Sequence, residues 1–158
     1  MFKWLKARRE RRERFMRDFM ERSQFANFVP GVSANDVLRL IHRDFSAAIH
    51  NDVLASLNRY GTETFHSENH RVHAAILKLS NGNRDRIDHF VQIAMRDFRD
   101  VLMLAELPSY FTLMDELGMR DFAKRPIEEI KALAQNDRDQ YLEWLSRENR
   151  PSISELNN

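Results

Sequence analysis

The chain has 158 residues, 42% of them hydrophobic and 31% charged, with no cysteine. That length suits one domain with a buried core, and the missing thiols exclude disulfides, cysteine nucleophiles and Cys-ligated zinc. The net charge of +1 hides an asymmetry: Met1 to Arg17 holds eight Lys/Arg against Glu10 and Glu13, so +6 there leaves −5 for the remainder.

Four Gly and four Pro leave too little turn chemistry for the many tight connections of an all-β fold, so long helices are expected. No apolar run approaches the roughly 20 residues needed to span a bilayer, and Met1 to Arg9 lacks the apolar stretch of a secretory signal. Glu10 and Glu13 also argue against an Arg-rich transit peptide. The expectation is therefore a cytoplasmic, all-α protein: an irregular bundle of about five to seven helices forming a single domain over 1–150. Residues 1–14 are a candidate projecting basic arm, and 151–158 a frayed tail.

The first helix is predicted from Phe2 to about Phe25, with Pro30-Gly31 as its downstream break. Phe15, Met16, Phe19 and Met20 form an apolar stripe at helical spacing, whereas Lys6 to Arg14 contains only Ala7 as an apolar residue. Glu10–Arg14 and Glu13–Arg17 are spaced to support the helix as i,i+4 ion pairs. Ser33, with Asp36 three residues on, marks the start of a second helix reaching Tyr60-Gly61, with Leu38, Ile41, Phe45, Ile49, Val53 and Leu57 on its core side.

A third helix is expected from Thr62 or Thr64 to the Ser80-Asn81-Gly82-Asn83 turn, carrying Phe65, Val72, Ile76 and Leu79 inward. The fourth, from Arg84 to Pro108, bears a broad apolar face from Ile87 to Leu102 and is expected to be central. Ser109 then caps a short helix closed by Gly118. Pro126 opens a helix through Ile127, Ile130 and Leu133, and Asn136 caps a last piece containing Tyr141 and Trp144.

Two constellations could carry function. Glu63, His66, His70 and His73 share one stripe of the predicted third helix, and Glu63-Thr64-Phe65-His66 matches the Glu-x-x-His element of carboxylate-bridged di-iron bundles. His66 and His73 are separated by about 10 Å of helical rise, however, so one ion cannot collect all three imidazoles. The chain also holds no second copy of the element. The bland reading, histidines beside a core stripe, is preferred, with a divalent metal as the alternative and no cofactor otherwise expected.

The second constellation is the basic block, with Lys6, Arg8, Arg9, Arg11, Arg12 and Arg14 as candidate partner-binding residues. Its cations could meet an acidic protein surface, a second copy of the chain, nucleic-acid phosphates, or an anionic membrane with Phe2, Trp4 and Leu5 as an apolar tip. No zinc finger, RNP-like aromatic pattern or helix-turn-helix accompanies it. No phosphate-binding glycine loop or nucleophile elbow occurs either. The preferred expectation is thus a non-enzymatic interaction module that docks an acidic partner or self-associates through its first helix. A metal-binding bundle using Glu63, His66 and His70, or nucleic-acid binding, are the alternatives.

Overall fold

The computed structural model describes residues 2–149, with side chains from Lys6 to Asn149. The Pro151–Asn158 tail and the side chains of Phe2, Trp4 and Leu5 lie outside the described residues. The fold is all-α. Eight α-helices occur among the described residues: α1 (Phe2–Ser23), α2 (Ala34–Asp44), α3 (His50–Leu57), α4 (Asn69–Ser80), α5 (Arg84–Arg96), α6 (Phe98–Glu106), α7 (Pro108–Phe122) and α8 (Ile127–Ser146). Short 3₁₀ turns occupy Gln24–Ala26 and Ala47–Ile49. No described helix is long and apolar enough to cross a membrane.

Packing divides the chain into two compact units, one comprising Met1–Val29 with Leu107–Asp139 and the other Pro30–Glu106 with Gln140–Asn158. In the second unit α4 is the central helix, with α2, α5 and α6 packed on it. Its six consecutive residues Val72 to Leu77 are all buried, the mark of a helix covered on every side. This corrects the expectation that the segment after Arg84 is central. That segment is two helices, because Asp97 is extended (φ −152°) and its carboxylate accepts the Arg99 N–H at 3.0 Å, opening a new helix.

The predicted second helix is likewise broken. Its start stands: Ser33 Oγ accepts the Asp36 N–H and Asp36 Oδ2 accepts the Ser33 N–H, a complete capping box. At Phe45 the backbone turns extended (φ −124°, ψ 154°), and α3 begins after a 3₁₀ turn. The break changes the phase of the apolar stripe, so Val37, Leu40 and Ile41 are buried while Leu38 is 41% exposed. From the outer edge of α2, Arg39 donates to the Leu145 and Arg147 carbonyls, and Arg43 to those of Trp144 and Arg147. Two guanidinium groups thereby satisfy the orphan carbonyls that end α8.

Among the described residues, two charged pairs are buried in this unit, Arg43 with Asp44 and Arg71 with Glu106. Arg71 grips Glu106 bidentately, at 2.7 Å through Nε and 2.6 Å through Nη2, while its remaining nitrogen reaches Glu68. Burial pushes the Glu106 carboxyl above its ordinary range, against the opposing pull of the Arg71 fork.

The first unit packs α1 against α7 and the first turns of α8. Leu107, Tyr110, Phe122, Ile130 and Ala134 are buried, with Phe19, Phe25, Phe111, Leu113 and Leu117 against them. Phe25 joins this core, and Arg138 lies over the Phe28 ring at 5.6 Å. The expected break at Asn136 is absent, since α8 runs unbroken. Pro108 follows the end of α6 at Glu106, as expected, and also occupies the first turn of α7, where its missing N–H costs nothing. Asp137 reaches across from α8 to accept the Tyr110 N–H at 2.9 Å, serving as an N-cap from outside the helix.

Gly118 ends a short helical stretch as expected: its φ of 69° and ψ of 162° are non-helical, and α7 consists of two helical pieces joined at a kink there. The helix folds sharply there. Tyr110 and Phe122 are twelve residues apart, about 18 Å in a straight helix, yet their rings meet edge-on at 5.3 Å.

Candidate functional site

The Gly118 corner determines what faces the basic helix. After it, residues 119–124 run back toward α1, and Phe122 meets Phe19 edge-on at 6.4 Å. Arg120, Ala123 and Lys124 then form one wall of a cleft of about 680 Å³ whose other wall is α1 itself, through Arg8, Arg11, Arg12, Arg14, Phe15, Met16 and Asp18. Six cations line this space with a single carboxylate.

The α1 wall follows from helical periodicity. Arg8, Arg11, Arg12, Phe15 and Phe19 recur at spacings of three and four, so they share one stripe. At Phe15 and Phe19 that stripe is half-buried, whereas at Arg8, Arg11 and Arg12 it is exposed. The face that packs in the second half of α1 therefore continues into its first half as an uncovered row of guanidinium groups. Among the described residues, no salt bridge engages Arg11, Arg12, Arg14 or Arg120. Glu13, expected to pair with Arg17, turns to Arg9 at 2.7 Å. Lys124 holds Asp121 at 2.7 Å, and its hydrogen bond keeps that carboxyl below the usual carboxylate range. Exposed pairs of this kind add little to stability.

The six sequence-derived partner-binding residues thus separate. Arg8, Arg11, Arg12 and Arg14 line the cleft. Arg9 is engaged with Glu13, and Lys6 is exposed on another side of α1. Arg120 and Lys124 were not anticipated. Their signal was a second basic run, Arg120, Lys124 and Arg125, directly after a glycine that ends a helical pattern.

The histidine constellation is not assembled as expected. Helix α4 begins at Asn69, so Glu63 and His66 lie on the preceding loop and not on a shared helical stripe with His70 and His73. The reason is local. Gly61 has φ 109°, and the Tyr60 and His66 rings stack at 4.4 Å. The His66 Nδ1 atom accepts the Gly61 N–H at 2.8 Å and the Glu63 N–H at 3.3 Å, while the Tyr60 hydroxyl donates to the Ser67 carbonyl at 2.9 Å. These contacts use the loop's backbone groups and keep it from continuing α4. Phe65, expected inward, is 71% exposed.

His73 is buried with Nε2 3.0 Å from the Tyr60 carbonyl oxygen, and desolvation lowers its pKa below the ordinary histidine value. His70 is exposed. Among the described residues, no group of three or more His, Asp or Glu side chains is placed to share a metal ion. The imidazoles instead have structural partners: His66 organises the loop and His73 ties α4 to the end of α3.

No protein-family model matches the chain, and neither a curated protein nor a solved structure is significantly similar to it.

Proposed function

We propose that this protein is a non-enzymatic interaction module whose cleft along α1 docks an acidic protein partner. The observation that carries this reading is the convergence of cations from two distant segments, Arg8 to Arg14 and Arg120 with Lys124, on one cleft that also offers Phe15, Met16 and Ala123. Arginine suits the task, because its planar fork pairs bidentately with carboxylates and its stem covers apolar surface. A cleft lined this way has a long-range pull on acidic partners and a short-range requirement for shape.

The test is fluorescence anisotropy with a labelled acidic peptide of Glu, Ala and Leu, titrated with the full chain at physiological salt. The expected result is saturable binding, weakened at least about tenfold by R11E/R12E and separately by R120E. Reversal of the exposed Arg96 should leave it unchanged. Absence of binding, or equal sensitivity to R96E, would overturn the reading. Tighter binding of duplex DNA or RNA, with the steep salt dependence of phosphate contacts, would replace it with nucleic-acid recognition.

A further inference from the structure

Building on the docking reading, we infer that the partner enters the cleft as an amphipathic helix of two to three turns, with its acids along one stripe and an apolar stripe beside them.

Three observations support a helix over an extended chain. First, the α1 stripe that meets Phe122 at Phe19 is left uncovered from Arg12 back to Arg8. That uncovered stretch rises about 6 Å, and the wall continues to the half-buried Phe15, about 10 Å from Arg8 in all, so the α1 wall of the cleft spans about two helical turns. Second, the cations follow a helical pitch on both walls. Arg8, Arg11 and Arg12 rise by about 4.5 and 6 Å, and Arg120 and Lys124 are four residues apart. A helix with acids at i, i+3, i+4 and i+7 presents a ridge of the same pitch. An extended segment turns alternate side chains to opposite faces, so half of its acids would point away. Third, Phe15, Met16 and Ala123 lie among the cations, and Met16 is 46% exposed. An acidic ridge alone leaves that surface wet; a Leu or Ile stripe one position round the helix covers it, as in other helix-in-groove complexes.

Nucleic acid fits less well. Among the described residues Phe15 is the one aromatic ring on the cleft lining, and it is half-buried, so it offers bases little of the exposed face that stacking needs. A second copy of the basic α1 would bring like charges together.

The experiment compares three labelled peptides of identical length and net charge with the full-length chain. One has Glu at i, i+3, i+4 and i+7 with a neighbouring Leu stripe. The second has the same residues permuted so that the acids surround the helix. The third is the first with a central proline, which breaks the helix. The register-matched peptide should bind at least about tenfold more tightly than either other, gain helical circular dichroism on binding, and lose affinity with M16K as well as R11E/R12E. Equal affinity of all three would overturn the helix while leaving the acidic docking site intact. Failure of every peptide to bind would overturn the docking reading itself. Preferential binding of a single-stranded RNA of equal charge would show that phosphates, not an acidic helix, are the occupant.

Discussion

Substituting Gly118 with alanine tests the corner on which the cleft depends. At φ 69° and ψ 162° the residue occupies a region open to glycine and almost closed to L side chains. A Cβ built there meets nothing within 4 Å, so the cost is backbone strain without a clash, about 1–3 kcal/mol. Stiffening the unfolded chain returns about 0.4–1 kcal/mol. The net expectation is a loss of about 1–2 kcal/mol, or roughly 2–4 °C in Tm for each kcal/mol in a chain of this size. Urea and thermal unfolding followed by circular dichroism measure it. Asparagine should not rescue the position, because it tolerates the left-handed helical region near ψ 45° and not ψ 162°. If the chain relieves the strain by straightening α7, Arg120 and Lys124 leave α1, and acidic-peptide affinity falls along with stability. A Gly118→Ala protein with unchanged Tm and unchanged peptide binding would refute the claim that this glycine enforces the corner.

The Arg71–Glu106 pair gives a second prediction. Glu106→Ala leaves the Arg71 guanidinium, whose side chain is only 12% exposed, with Glu68 but without its buried partner, a change expected to cost about 3–5 kcal/mol. The double substitution Arg71→Met/Glu106→Leu should recover most of that loss in urea unfolding; a double variant less stable than the single one would show that the pair supplies net stability. A third prediction concerns pH. Because burial depresses the His73 pKa, the unfolded chain takes up this proton first. The stability tied to neutral His73 is complete above the unfolded-state value near 6.5 and declines as pH falls through it. His73→Gln, which keeps an amide donor for the Tyr60 carbonyl, should flatten the Tm slope between about pH 7 and 5 relative to the unmodified chain. Glu106, shifted upward, contributes with the opposite sign, so the diagnostic is the difference between the two proteins. Identical slopes would exclude His73 as the source.

The helical class and several helix starts were legible because they depend on local chemistry. Ser33 with Asp36 caps as its spacing suggests, α5 starts at Arg84 after the Asn81-Gly82-Asn83 turn, and few glycines left no room for a sheet of short strands. The breaks were less legible. Leu38 through Leu57 keep spacings of three and four across the Phe45 break, so an apolar period alone could not reveal that two helices share it. The loop before α4 was hidden for another reason: His66 at helical spacing from His70 and His73 looks like a stripe, and only its ring nitrogen accepting the Gly61 N–H removes it from the helix. A histidine's preference between helix and loop depends on what its nitrogens find in three dimensions.

The cleft shows the same division between local and distant information. That Arg8, Arg11 and Arg12 extend the Phe15–Phe19 stripe is a matter of arithmetic along one helix. That the stripe ends in an open row of cations depends on where α7 stops covering it, and this is decided by a single residue 106 positions after Arg12, Gly118. A glycine after a helical run reads as a terminus, since the left-handed C-terminal position is its commonest use. Its ψ of 162° lies outside that conformation, so the chain turns a corner and resumes as helix. The second basic run then faces the first instead of trailing into solvent. Charge reversal at Arg120 is accordingly the sharper probe: the composition of α1 alone makes a basic arm, whereas sensitivity at Arg120 requires the two segments to act on one ligand.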